Sequence, residues 1–176
     1  QEVYFSLAKT KSLRGDYAGA VVVAKKALDL NQKVADAHFY YGLLLSANKD
    51  LELGYIELKR AMELGKRWKN FYEPRVVGDF FADAGHVEDA IDLYKVALAM
   101  NSDAGEILSY PLSAAEARLN SGIVFLDTRP STGRKYLDDA ISFFKIVLVV
   151  DPDNLIAQVE IGASYYFLGN KTMARE

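Results

Sequence analysis

One template recurs along the chain at a period of about 34 residues, and this repeat restricts the possible folds more than any other feature. In each copy a small residue is followed seven residues later by a second residue and its apolar neighbour. The copies are Ala20 with Ala27 and Leu28, Gly54 with Ala61 and Met62, Ala90 with Ala97 and Leu98, and Ala140 with Val147 and Leu148. Such self-similarity is typical of arrays in which each unit buries its apolar face against the next.

Each half of a repeat has apolar residues at helical spacing. In the third copy, Val77, Phe81 and Ala84 recur at spacings of four and three, which place them on one face of an α-helix. Gly15 and Gly85 fall between the two halves of their repeats, where a glycine can adopt the positive φ that ends a helix. A repeat is therefore predicted to be two antiparallel helices joined by a short turn.

Small residues also occupy the eighth and twentieth positions of the repeats, as Gly42 and Gly54 illustrate. We interpret these positions as the place where the two helices of a hairpin cross most closely, since a small side chain lets the backbones approach. The predicted chain has no sheet, and its helices cover residues 2–14, 17–30, 35–48, 51–64, 71–84, 87–100, 113–126, 136–150 and 155–168.

The template resembles the tetratricopeptide repeat over nearly the whole chain, although Gln32, Lys66 and Ser102 stand where that family has a terminal proline. The resemblance implies an all-α, right-handed superhelical solenoid of antiparallel helix hairpins, with four full repeats and part of a fifth. It implies a single repeat domain over 1–176, with units near 1–34, 35–68, 71–104, 115–154 and 155–176. We expect the chain to be a piece of a longer protein.

The spacing is irregular around the fourth unit. About ten extra residues precede this unit, and about six more lie inside it. The second insertion lies within the stretch 127–135, which contains Pro130 and Gly133, and this composition predicts a surface loop that projects from the edge of the stack.

Composition excludes several kinds of site. The chain has no cysteine, so disulfides and thiolate metal sites are excluded, and its net charge of −3 does not suggest nucleic acid binding. His38 and His86 lie in different repeats with no acidic ligand pattern beside them, so we predict no metal, no cofactor and no catalytic residue. We recognise no signal peptide or transmembrane segment within these residues, and cytoplasmic and extracytoplasmic locations both remain open.

The resemblance implies that the first helix of each unit lines a concave groove. Its positions that face the groove mix aromatic residues with carboxylates, which is common at binding surfaces. The candidate partner-binding residues are Phe5, Lys9, Asp36, Phe39, Tyr72, Arg75, Asp79, Asp83, Glu116 and Leu119. The alternative is that the aromatic residues pack against neighbouring helices and that the carboxylates only keep the surface hydrated.

The function predicted from these observations is a non-catalytic scaffold that binds a protein or peptide segment with basic and apolar residues. The clamp with which chaperone-binding members of the family hold a C-terminal carboxylate is missing, because Lys9 is the one cation at the five corresponding positions compared. The basic cluster Lys59, Arg60, Lys66, Arg67 and Lys69 is interpreted as a hydrated helix end or as a site for an acidic partner or membrane.

Two other functions remain open. The segment Ala61–Gly65, with the two-residue slip after it, resembles the C-terminal repeat region of some bacterial O-antigen ligases or polymerases, which would make the chain an appendage of a membrane enzyme. Apolar residues near the end of the chain, among them Ile161, Tyr166 and Phe167, predict self-association through the C-terminal end.

Overall fold

The computed structural model describes residues 2–174, and all regular secondary structure within this range is α-helical. The helices are α1 Glu2–Leu13, α2 Tyr17–Leu30, α3 Ala35–Ala47, α4 Leu51–Glu63, α5 Tyr72–Asp83, α6 Val87–Met100, α7 Ala104–Leu126, α8 Pro130–Val150 and α9 Leu155–Phe167. The prediction of an all-α repeat fold is confirmed. The last two residues of the predicted fifth unit lie outside the described range.

The chain divides into two compact units. Unit 1 contains the residues up to Lys69 together with Asp83–Gly85, and unit 2 contains Asn70–Ala82 and the residues from His86 onward. The core of unit 1 is formed by small and aliphatic residues of α1, α2 and α3, such as Ala8, Leu28 and Leu45. Unit 2 buries larger side chains, including Phe81, Tyr94, Ile107, Leu137 and Phe144.

Short polar side chains and left-handed residues set the helix ends. Asp16 accepts a hydrogen bond from the backbone N–H of Gly19 at 2.9 Å and so caps α2. Gly15 has a φ of +78° in the turn between α1 and α2. Lys49 takes the same place between α3 and α4 with a φ of +71°, which is unfavourable for a residue with a Cβ atom.

Within unit 1 the helices α3 and α4 cross closely at two glycines. A Cβ atom on Gly42 would lie 2.7 Å from Leu58 Cγ and 3.1 Å from the carbonyl oxygen of Gly54. Both distances are shorter than ordinary van der Waals contact, so neither helix could approach the other with a larger residue here. The predicted role of the small positions is therefore present at this crossing.

The α7–α8 hairpin of unit 2 differs from the prediction. α7 begins at Ala104 instead of 113, and α8 begins at Pro130 instead of 136. The prediction of a projecting loop over 127–135 is wrong, because Pro130 starts α8 at a position where a missing N–H costs nothing. Gly133 is buried, and a Cβ atom there would lie 2.7 Å from the backbone nitrogen of Leu126.

The predicted start of α8 was wrong because Ala140 is not the small residue of the crossing with α7. A Cβ atom on Gly122 would lie 2.7 Å from Leu137 Cγ and 3.1 Å from the carbonyl oxygen of Gly133, which matches the surroundings of Gly42 in unit 1. Gly133 is thus the small residue of the crossing, and Ala140 corresponds to Ala61. With 23 and 21 residues, α7 and α8 are longer than α3 and α4 with 13 each, and the added length lies at the end away from the turn.

Candidate functional site

The predicted binding residues lie in both units. In unit 1, four rings from α1, α3 and the segment after α4 form a continuous contact series, which we call the aromatic row. Its ring centroids are separated by 5.9 Å between Phe5 and Tyr40, 5.7 Å between Tyr40 and Phe39, and 6.1 Å between Phe39 and Trp68. These separations and the tilted or edge-on ring planes are typical of favourable aromatic pairs.

The four rings are not equally accessible. Phe39 is 4% exposed and forms the floor of the row, whereas Tyr40 is 46% exposed and Phe5 and Trp68 are half-buried. Phe39 was predicted to contact a partner, but its burial leaves it as support for the other rings. Tyr40 and Trp68 were not among the predicted binding residues, although the adjacent aromatic pair on α3 was a visible signal in the sequence.

Lys66 lies beneath the row, and its side chain is 2% exposed. Its Nζ atom is 4.5 Å from the centroid of Phe39 and 5.6 Å from the centroid of Trp68, and it donates a hydrogen bond of 2.8 Å to the carbonyl oxygen of Arg67. The ammonium also lies 3.4 Å from Asp36 Oδ1. A buried charge needs such partners, since removal from water is otherwise costly.

This arrangement changes two interpretations from the sequence. Asp36, a predicted binding residue, keeps an exposed side chain, but its charge is partly offset by Lys66. The basic cluster around Lys59–Lys69 does not form one exposed patch, because Lys66 is buried and Arg60 pairs with Glu63 at 2.8 Å. Lys9, by contrast, is exposed on α1.

In unit 2, the predicted residues of α5 form a chain of contacts. The guanidinium of Arg75 lies 4.7 Å from the centroid of Tyr72, and its Nη1 atom is 3.0 Å from Asp79 Oδ2. The hydroxyl of Tyr94 on α6 donates to Asp79 Oδ1 at 2.9 Å. Asp79 is buried and therefore fastens α5 to α6, whereas Tyr72 is 56% exposed.

The remaining predicted residues have different environments. Glu116 is exposed on α7, and Leu119, one turn later, is buried at 5% exposure. Asp83 is half-buried at the end of α5 and belongs to unit 1. Phe39, Asp79 and Leu119 are thus part of the interior, and the exposed members of the predicted set are Lys9, Asp36, Tyr72 and Glu116.

His38 in unit 1 is buried, and both of its ring nitrogens contact other groups of the protein. Its Nδ1 atom lies 2.5 Å from Glu57 Oε2, and its Nε2 atom lies 2.9 Å from the carbonyl oxygen of Gln32, to which it can only donate. Both ring nitrogens are therefore occupied by groups of the protein. Burial, together with the charge of Glu57, raises the pKa of the nearby Tyr41 hydroxyl on α3.

Over residues 2–174, no three His, Cys, Asp or Glu side chains converge in a way that could hold a metal ion. In the same range, none of the helices combines the length and the apolar character needed to cross a bilayer.

Solved structures of other proteins resemble this fold, whereas sequence comparisons find no match. No protein-family model matches the sequence, and no curated protein matches it. Among solved structures, the chain is similar to YrrB, described as a TPR protein with an unusual peptide-binding site, at 20% identity and a TM-score of 0.52, over 97% of this chain and 79% of YrrB.

Two MamA structures have a similar TM-score. One MamA structure shows 20% identity and a TM-score of 0.52, over 99% of this chain and 85% of MamA. MamA from Desulfovibrio magneticus RS-1, residues 41 to the end, shows 14% identity and a TM-score of 0.51, over 99% and 88%. Together with the helical hairpins, these similarities show that the chain has the tetratricopeptide-repeat fold.

Proposed function

We propose that the chain is a non-catalytic scaffold that binds a segment of another protein, and that the aromatic row of unit 1 is its main contact surface. The observation that supports this proposal is the continuous series of rings in which Tyr40 is 46% exposed above a buried Phe39. Large, rigid rings beside partly hydrated polar groups are frequent anchors in protein interfaces, because they bury much apolar area at little entropic cost.

The row fits an extended or helical segment with apolar side chains. Its three accessible rings, Phe5, Tyr40 and Trp68, offer apolar area, and the exposed carboxylate of Asp36 lies beside them. Asp36 supports the predicted basic component of the partner, although Lys66 reduces its effect. We therefore expect apolar contacts to provide most of the affinity and a cationic side chain near Asp36 to provide part of the specificity.

The proposal can be tested with selected peptides. Twelve-residue peptides from a random display library are selected on the chain and their affinities are measured by calorimetry. Tyr40→Ala is expected to weaken the selected peptides at least about tenfold, since a central aromatic anchor contributes roughly 2 kcal/mol or more. Tyr17→Ala is the matched control, because Tyr17 is 42% exposed on α2.

Two results would count against the proposal. Selected peptides that bind Tyr40→Ala and Tyr17→Ala equally well would place binding elsewhere on the molecule. A failure to select any peptide would indicate that the row is too small to bind a linear segment. The appendage of a membrane enzyme and self-association through the C-terminal end remain predictions.

A further inference from the structure

The segment that carries Trp68 has no regular secondary structure of its own. α4 ends at Glu63 and α5 begins at Tyr72, and residues 66–68 between them lie in neither a helix nor a turn. Gly65, with a φ of +82°, turns the chain at the start of this segment. Helix hydrogen bonds therefore do not fix the place of the Trp68 ring, and side-chain contacts must do so.

Lys66 connects this segment to α3 through its side chain. The ammonium lies 4.5 Å from the centroid of Phe39 and 3.4 Å from Asp36 Oδ1, and both of these residues belong to α3. The same ammonium donates to the carbonyl oxygen of Arg67 at 2.8 Å and lies 5.6 Å from the centroid of Trp68. One cation therefore contacts the floor of the aromatic row, the carboxylate beside it and the ring at its end.

The charge of Lys66 suits this place as well as its bulk does. The faces of Phe39 and Trp68 attract a cation, and the oxygen atoms of Asp36 and Arg67 accept hydrogen bonds from an ammonium. Asp36 keeps 54% of its side chain exposed, so its carboxylate remains hydrated if the ammonium is removed. An uncharged side chain of the same length would therefore fill the space and leave no buried charge behind, but it would not attract the two rings.

We propose that Lys66 is the positioning residue of the aromatic row, and that its ammonium holds the Trp68 ring beside Phe39 and so completes the contact surface. This role rests on the proposed function, because it concerns the surface assigned there to a partner. The place of Trp68 is nevertheless a property of the free chain, so it can be measured without any partner.

A pair of modified side chains separates the charge from the volume. The chain has no cysteine, so Lys66→Cys introduces a single thiol. This thiol is alkylated in urea with 2-bromoethylamine or with 1-bromopropane, and the chain is then refolded by dilution. The two products have the same length and differ only in a terminal ammonium or methyl group. The unmodified chain is taken through the same steps as a control.

The readout is the quenching of Trp68 fluorescence by acrylamide, because Trp68 is the one tryptophan of the chain. We expect the propyl form to be quenched about twofold more strongly than the aminoethyl form or more, since a ring without this attraction spends more time in water. The aminoethyl form is expected to match the unmodified chain. Equal quenching of the two forms would overturn the proposal.

Lys66→Met is a second variant that needs no alkylation, and Lys33→Met is its control at an exposed lysine before α3. Lys66→Met is expected to raise the quenching without lowering the melting temperature, because an apolar residue replaces a buried charge at little cost. Lys33→Met is expected to change neither value. A lower melting temperature with unchanged quenching would show that Lys66 only stabilises unit 1, and would overturn its positioning role.

The selected peptides provide the last readout. The propyl form and Lys66→Met are expected to bind them at least about tenfold more weakly than the aminoethyl form does, as for the loss of an aromatic anchor. Unchanged affinity together with stronger quenching would overturn the link between Lys66 and the contact surface. A failure to select any peptide counts against the proposed function alone, because the quenching is measured in the free chain.

Discussion

The crossing of α3 with α4 and the face of α9 present the same residue in two environments. Gly42 is buried between Leu58 and Gly54, whereas a Cβ atom on Gly162 would meet, among the residues that the structure describes, only the carbonyl oxygen of Ala174 within 4 Å. The position is a glycine in both helices, yet only the first forms part of a core. The repeat pattern therefore specifies a glycine against which a second helix can pack. Whether that glycine is buried depends on the presence of the second helix.

The largest expected difference between these regions comes from removing a side chain over the glycine. Leu58 is 1% exposed, so Leu58→Ala is expected to lower the free energy of unfolding of unit 1 by about 2–5 kcal/mol. Val159 on α9 is 68% exposed, so Val159→Ala is expected to change stability by less than about 0.5 kcal/mol. Urea unfolding followed by the fluorescence of Trp68 measures the first effect in unit 1, because the chain has one tryptophan; circular dichroism measures the second. Equal losses would mean that the two regions are packed alike.

A second test adds a methyl group at the glycine instead of shortening a side chain. Gly42→Ala places a Cβ atom against Leu58 and backbone atoms, and is expected to cost about 1–3 kcal/mol through overpacking. Gly162→Ala meets an ordinary contact and is expected to be neutral or stabilising by up to about 1 kcal/mol, since alanine favours helix. The melting temperature should therefore fall for Gly42→Ala and stay the same or rise for Gly162→Ala, and an equal fall in both variants would contradict the comparison.

A smaller effect is expected in the turn that closes the α3–α4 hairpin. Lys49 has a φ of +71°, and Lys49→Gly is expected to stabilise the chain by about 1 kcal/mol by relieving this strain. Lys26→Gly is a matched control on the exposed face of α2, where the same exchange is expected to cost about 1 kcal/mol. Denaturant midpoints of both variants test the assignment, which fails if Lys49→Gly destabilises.

The smallest expected effect is a difference in how the N-caps of α2 and α9 contribute to stability as the pH falls. The side-chain hydrogen bond from Lys11, then the backbone N–H of Gly19, lowers the pKa of Asp16 from 3.8. This contribution to stability is therefore complete above pH 3.8 and is lost as the pH falls through the lower pKa of the folded state. Asn154, which caps α9 through Ala157, carries no charge and should show no such dependence.

The measurement for the caps is the melting temperature between pH 5 and pH 2. Asp16→Asn keeps a capping oxygen and is expected to reduce the slope of melting temperature against pH, whereas Asn154→Ser should leave the slope unchanged. An unchanged slope in Asp16→Asn would show that other carboxylates dominate the acid response.

The short hairpins could be predicted from the sequence because their signals are local. Glycine turns and apolar spacing placed the boundaries of α2 and α6 where the structure has them. The α7–α8 hairpin could not be placed in this way, since Ala140 fits the pattern of the small position as well as that of the position seven residues later. Only the contact of Gly122 with Leu137 distinguishes the two registers.

The candidate site was less predictable than the fold. Position within a repeat identifies residues near a face, but it does not show whether a neighbouring helix covers them, as Phe39 and Leu119 illustrate. In the sequence, Lys66 was visible as a departure from the proline of the family and as a member of the basic cluster, and neither signal predicts its burial. Its location against Phe39 and Trp68 depends on the path of the chain after Gly65, whose φ is +82°.

The burial of Lys66 has a consequence for its chemistry. Amine-directed reagents and acetylating enzymes modify a lysine whose unprotonated nitrogen can reach the electrophile, and the ammonium of Lys66 is enclosed by Phe39, Trp68 and a backbone carbonyl. Its modification would require the segment after α4 to open first, so its rate of labelling would follow that local opening. The labelling rate of this one lysine would therefore measure how often the end of unit 1 opens.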